Sequence, residues 1–167
     1  SGVAVSENED PDTEISKSYL RVLKFDNQTK EWEQLGDLIT PQTNTAEGEY
    51  IFHDLSSDGL TVSIGCSGCD STNENSLLWV YQYNSSSQVW DQRGNTIEFA
   101  GYEMGHPTMS ASGDTVSIDT WLSSEDTTHY TEVYNYNGTQ WESVAKINHV
   151  NYETSVELSQ DGTKIGI

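Results

Sequence analysis

Leu77-Leu78-Trp79-Val80-Tyr81-Gln82-Tyr83 is followed by the polar stretch Asn84-Ser85-Ser86-Ser87-Gln88 and then by Val89-Trp90-Asp91-Gln92-Arg93-Gly94. Two apolar-rich runs flank a cluster of turn formers, which is the signature of a β-hairpin. The same pattern occurs twice more. Tyr19 to Phe25, the turn Asp26-Asn27-Gln28-Thr29-Lys30 and Glu31-Trp32-Glu33-Gln34-Leu35-Gly36 form an earlier copy. Thr131 to Tyr136, Asn137-Gly138-Thr139-Gln140 and Trp141-Glu142-Ser143 form a later one. Self-similarity on this scale marks a repeat protein and sets the frame for every other motif.

A second recurring unit follows each hairpin. Leu55-Ser56-Ser57-Asp58-Gly59, Met109-Ser110-Ala111-Ser112-Gly113 and Leu158-Ser159-Gln160-Asp161-Gly162 each hold an apolar residue, a Ser and a Gly in fixed register. Gly permits the positive φ of a tight turn, and Asp or Ser before it bonds the local backbone. A short strand follows at constant offset: Val62-Ser63-Ile64, Val116-Ser117-Ile118 and Ile165-Gly166-Ile167, with Val3-Ala4-Val5 as a fourth copy. From Val3 the steps to Val62, Val116 and Ile165 are 59, 54 and 49 residues. Each step accommodates about four strands, the content of one propeller blade.

The predicted fold is therefore all-β: propeller-like repeats of four-stranded antiparallel blades, about three of them, as part of a larger propeller or assembly. One β-repeat domain spans 1–167, with repeats at about 3–61, 62–115 and 116–164 and a further strand copy beginning at 165–167. On the hairpin strand, Leu23, Tyr81 and Tyr134 share a face with Phe25, Tyr83 and Tyr136, whereas Val22, Val80 and Val133 take the opposite one. A strand that is apolar on both faces needs cover on both sides, and blade-on-blade packing provides it. A β-sandwich built from the same hairpins is the competing architecture. If Ser-x-Asp-Gly is the turn after the first strand of a blade, it shares a rim with the aromatic hairpin tip. The long connections then occupy the other rim.

Val-Tyr-x-Tyr, a polar turn, Trp-x-Gln-x-Gly, Ser-x-Asp-Gly and a Val-x-Ile strand together resemble tandem repeats of secreted proteins from algae and marine bacteria, akin to integrin-α-type and other β-propeller repeats. The resemblance covers nearly the whole chain. It is best over 78–94 and 55–65 and worst in the third unit, where Gln-x-Gly has become Ser143-Val144-Ala145. It implies a propeller-type fold much more firmly than any activity.

Composition narrows the partners. The 167 residues include 27 acidic and seven basic side chains, a formal charge of −20. Such a surface repels nucleic acid and anionic lipid and attracts cations or basic partners. Only 34% of residues are apolar, yet five Trp and nine Tyr are among them, so aromatics must supply much of the buried area. No run reaches the length of a membrane-spanning helix. The chain opens at Ser1 with neither an initiator Met nor a signal peptide, as expected of a processed or excised piece.

Three N-glycosylation sequons, at Asn27, Asn84 and Asn137, fall in the same turn of the same hairpin, so attached sugars would line one rim. Cys66 and Cys69 suit a local disulfide pinning the start of a long loop in a secreted protein, with a reduced, inert pair as the alternative. Zinc would want further ligands at suitable spacing, and a redox dithiol would want a helix. The acidic loops that follow the Val-x-Ile strands offer Asp10, Asp12, Asp70 and Glu74 as oxygen ligands for Ca²⁺, which takes about six to eight of them. No loop has a complete ligand set, and solvated acidic loops are the simpler reading. Trp32, Trp90 and Trp141 are repeat positions expected in the core, whereas Trp79 and Trp121 break the repeat and are the candidate ligand platforms, with burial at an interface the commoner fate of such residues.

No catalytic signature is present: there is no nucleophile elbow, phosphate loop, dinucleotide-binding turn or zincin helix. The expectation is a non-catalytic, secreted or cell-surface structural or adhesive repeat glycoprotein that needs no cofactor. It assembles with further copies of itself or with adjoining repeats, into a surface filament for example. The alternative is a calcium-assisted carbohydrate- or protein-binding β-propeller module. Neither reading includes nucleic acid or membrane insertion.

Overall fold

The structure, a computed structural model, describes residues 2–8, 18–41, 51–69, 75–122, 129–149 and 156–167. Every regular element among them is a β-strand, and the pairs are antiparallel. The first sheet comprises β1 (Gly2–Asn8), β2 (Ser18–Phe25) and β3 (Trp32–Gln34). Beyond β3 the chain returns to pair Ile39 with Leu20. The second sheet runs in order through β4 (Ile51–Leu55), β5 (Thr61–Cys66), β6 (Asn75–Asn84) and β7 (Val89–Gln92), with β8 (Ile97–Ala100) pairing the opening residues of β6. The third contains β9 (Tyr102–Met104), β10 (Thr108–Met109), β11 (Thr115–Leu122), β12 (His129–Tyr136) and β13 (Trp141–His149). Finally β14 (Glu157–Leu158) pairs with β15 (Ile165–Gly166).

Each of the first three sheets holds one of the aromatic hairpins read from the sequence, but the sheets are offset from the predicted repeat bounds, since β4 pairs with β5, and β9 and β10 pair with β11. The predicted alternation on the hairpin strand is what joins them. Tyr81, on one face of β6, packs with Leu20 and Val22 of the first sheet in a core that also holds Ile64 and Trp79. Val80 and Leu78, on the other face, pack with Val116 and Ile118 of the third sheet. The middle sheet thus lies between two cores, which is why its central strands carry apolar residues at consecutive positions.

Ser-x-Asp-Gly is the turn between the first two strands. Ser56 Oγ accepts the Thr61 amide at 2.9 Å and donates to Asp58 Oδ1 at 2.7 Å, and Asp58 in turn accepts the Leu60 amide. Ser159 and Asp161 repeat the arrangement, and Ser112 replaces the Asp in the intervening copy. Successive turns also bond to one another: the Ser57 amide donates to Ala111 O, and the Ala111 amide donates to Gln160 O. The turn glycines Gly113 and Gly162, at φ of 74° and 69°, seat directly on Thr61 and Thr115 of the preceding sheet. Turn and hairpin share one rim as expected, because the Tyr83 amide donates to Leu60 O and the Tyr136 amide to Asp114 O.

Sheet-to-sheet contact at Gly94 predicts a graded response to alanine. At φ +80° a Cβ there would lie 2.9 Å from Trp141, whereas at Gly101, φ +74°, nothing lies within 4 Å. Gly101→Ala should cost about 1 kcal/mol of backbone strain, and Gly94→Ala about 2–4 kcal/mol because overpacking is added. Urea unfolding of the two variants measures the difference.

Candidate interaction site: the aromatic joint between sheets

The residues Gln-x-Gly that close β3 and β7 form a small acceptor. Gln34 Nε2 donates to the Gly36 carbonyl at 2.8 Å, and Gln92 Nε2 to the Gly94 carbonyl at 3.2 Å, folding the turn over itself. The middle residue gives its amide to its own sheet: Leu35 donates to Val22 O, and Arg93 to Val80 O. Its carbonyl turns toward the next sheet. The glycine adopts φ of +75° at Gly36 and +80° at Gly94, and its missing side chain leaves room for a ring.

Into that acceptor the next hairpin places an aromatic pair. Trp90 Nε1 donates to Leu35 O at 2.8 Å, and an added Cβ on Gly36 would lie 2.9 Å from Tyr83 and 3.0 Å from Trp90 Nε1. One repeat later Trp141 Nε1 donates to Arg93 O at 2.7 Å while Tyr136 and Trp141 cover Gly94. A buried indole N–H needs an acceptor, and a buried carbonyl needs a donor, so each joint satisfies both groups while burying two large rings. The second joint has an additional clamp. The Arg93 guanidinium sits 4.2 Å above the Tyr136 ring, donates to Gly113 O at 2.7 Å and forms an ion pair with Asp114.

The first hairpin holds the same pair, and among the described residues no Gln-x-Gly turn receives it. Phe25 and Trp32 have ring centroids 5.3 Å apart, against 5.4 Å for Tyr83–Trp90 and 5.3 Å for Tyr136–Trp141. Trp32 is 46% exposed, whereas Trp90 is 9% and Trp141 4% exposed. The expectation that all three repeat tryptophans lie in the core therefore holds for two of them, and Trp32 is corrected to the surface. A shallow cleft of about 410 Å³ runs beside the second joint, bordered by Gln82, Asn84, Asp91 and Arg93; one of about 560 Å³ occupies the corresponding place beside Phe25.

The other predicted positions separate. Trp79 is 2% exposed within the core between the first two sheets, so it has no face for a ligand, and that assignment is corrected. Trp121 is half-buried, stacks on His129 with ring centroids 5.7 Å apart and donates to Glu103 Oε2 at 3.1 Å. Cys66 and Cys69 are both buried and form the disulfide. Asp10, Asp12, Asp70 and Glu74 lie outside the described residues. Among the described residues no group of three or more His, Cys, Asp and Glu is placed to hold a metal. No helix among them is long and apolar enough to cross a membrane.

All three sequon asparagines are exposed, but they are not equivalent. Asn84 Oδ1 accepts the Ser86 amide and Asn137 Oδ1 the Thr139 amide, and their Nδ2 atoms donate to Asp91 and Glu142. In the first hairpin the residue at that place is Asp26, whose Oδ1 accepts the Gln28 amide at 2.6 Å. Asn27 sits one position further on. The shared requirement at the turn is thus an oxygen acceptor, which Asp and Asn satisfy equally. No known protein family matches this sequence, and no curated protein is significantly similar to it.

Sequence reasoning passed over Arg93 and the role of Gly36 and Gly94, although the spacing of Gln-x-Gly ahead of the second and third Trp hairpins was available to reveal them. It also missed a polar cluster in the third sheet. Asp119 and His129 are buried there with Nδ1 and Oδ2 3.9 Å apart, where the second sheet has Gly65 and Ser76. The substitution of charge at a repeat position was the visible signal. Nearby, Lys146 donates to Glu132 at 2.7 Å and lies over the Tyr130 ring. Burial acts against its ammonium, but Glu132 outweighs this and raises its pKa. Burial and the hydrogen bond to Glu132 push the Tyr134 phenol well above its ordinary value. At the surface, the Ser159 hydroxyl and the Thr163 amide hold Asp161 far below the usual carboxylate range.

Two measurements test this site. Trp90→Phe and Trp141→Phe each remove an indole donor from a buried carbonyl and should cost about 1–3 kcal/mol in denaturant unfolding. Trp32→Phe should fall within about 0.5 kcal/mol of the parent, as surface changes do. Asp54 supplies the second. Its Oδ2 accepts the Met109 amide at 2.7 Å, but burial pushes its carboxyl above the ordinary value. A raised folded-state pKa means that ionised Asp54 penalises folding. The penalty is complete above the folded pKa and vanishes below the unfolded value of about 3.9. Asp54→Asn keeps an acceptor for Met109 but loses the one that Oδ1 gives the Leu55 amide at 2.8 Å, so the test is the pH dependence: the stability of the parent relative to Asp54→Asn should fall as pH rises through that window in stability-versus-pH profiles.

Proposed function

We propose that the protein is a non-catalytic, extracellular structural or adhesive module of propeller-type β-repeats, which works by stacking on further repeats. The repeated joint carries this reading. Trp90 against Leu35–Gly36 and Trp141 against Arg93–Gly94 use the most distinctive repeated residues of the chain for sheet-to-sheet attachment. A residue kept for chemistry would stand apart from the repeat; these residues are the repeat. Uncovered repeat faces and sheet edges favour continuation by like units. The buried Cys66–Cys69 disulfide suits an oxidising compartment. An acidic, hydrated surface suits exposure outside the cell, and sugars at Asn27, Asn84 and Asn137 would shield the hairpin rim while leaving the opposite loops free for contacts.

The test is fractionation of the native source followed by intact-mass measurement before and after deglycosylation. The expected result is recovery from the secreted or surface fraction, with the disulfide oxidised and sugar mass removed. Of the three sites, Asn27→Gln should remove sugar mass without changing stability, whereas Asn137→Gln should also cost about 1 kcal/mol through the lost turn bonds. Recovery as a reduced, unmodified cytosolic protein would contradict the proposal.

A further inference from the structure

We infer that the Phe25–Trp32 face is a docking surface for one particular partner: the Gln-x-Gly exit turn of a further repeat of this kind. The inference rests on the stacking role proposed above and names its contact. Three observations carry it. The aromatic pair is already in the geometry of the two occupied joints, with centroids 5.3 Å apart and an interplanar angle of 58°, beside 52° and 46° in the others. Trp32 is nonetheless 46% exposed, and its indole N–H has no acceptor among the described residues. Both occupied joints show what fits such a pair: a backbone carbonyl at 2.7–2.8 Å from the indole and a left-handed glycine beneath the rings.

A second copy of this chain does not provide that partner. Its Leu35–Gly36 and Arg93–Gly94 turns are already engaged by Trp90 and Trp141 within the chain. The third repeat has Ser143-Val144-Ala145 at the corresponding place. There β13 continues unbroken, Ala145 pairs with Val133 across a bulge, and Ala145 has no positive φ. Ser143 is also too short to fold back on the turn as Gln34 and Gln92 do. The stack therefore has a direction: the first hairpin is competent to receive a Gln-x-Gly turn, and the third sheet has none to offer.

The test extends the full chain by one repeat, placing a second copy of residues 62–115 directly ahead of Val3. Hydrogen exchange of the Trp32 indole is then followed by NMR, with the signal assigned by Trp32→Phe. Exchange should slow by at least about 100-fold relative to the parent chain, as expected when an open group becomes part of the cooperative core. Gly94→Ala within the added copy should return it to the fast rate. Persistent fast exchange in a folded extended chain would overturn the inference. So would concentration-dependent protection of Trp32 in the parent chain, since that would make a second copy the occupant. Gly36→Ala in the parent chain tests the premise without any extension. Trp90 should then exchange as Trp32 does, and a Trp90 that stays protected would equally overturn it. A cytosolic location for the protein would defeat the extracellular reading and leave these exchange results untouched.

Discussion

The hydrogen bond from a tryptophan indole to the carbonyl of the preceding sheet is the constraint on which the architecture depends. It requires the outer strand to stop, the middle residue of Gln-x-Gly to give its amide backward and its carbonyl forward, and the next residue to be glycine. At Gly36 and Gly94 all three conditions are met, and the outer strand is broken there, with Ile39 and β8 resuming the pairing beyond it. Where the sequence abandons the motif, at Ser143-Val144-Ala145, the outer strand runs on as one piece from Trp141 to His149. Strand continuity opposes joint formation because a carbonyl held in the ladder points along the plane of its own sheet rather than at the neighbouring one.

The cores then follow from the joints. The middle hairpin strand offers tyrosines to one neighbour and Val80 to the other, so Tyr81 and Val80, adjacent in sequence, belong to different cores. The turns between the first two strands are tied separately through Ser57, Ala111 and Gln160, whose amides and carbonyls pass from turn to turn. Aromatic packing at the hairpins and backbone bonding between the turns hold adjacent sheets at two separated places. That arrangement resists rotation better than either contact alone.

Much of this was legible in the residues. The hairpins, the Ser-x-Asp-Gly turns, the shared rim and the two-faced strand all arise from local chemistry repeated at a regular offset, and repetition turns weak local signals into a consistent pattern. The disulfide was readable because Cys66 and Cys69 left few competing chemistries. What escaped the reading was relational. Trp32, Trp90 and Trp141 are alike in sequence, and what separates the two buried ones is that a Gln-x-Gly turn among the described residues receives each of them. Trp79 breaks the repeat, which left a ligand platform and interface burial both open, and it breaks it by enlarging a core. Asn27 looked equivalent to Asn84 and Asn137 because a sequon was matched, whereas the turn selects for the oxygen that Asp26 also provides.

The central claim is that glycine and tryptophan on opposite sides of a joint act as a unit. A double-mutant cycle on Gly94→Ala and Trp141→Phe in denaturant unfolding tests it most directly. The account predicts strong coupling, about 1–3 kcal/mol short of additivity, because either change alone already disrupts the shared contact. Losses that simply add would show that the two residues stabilise the protein independently, and would contradict it.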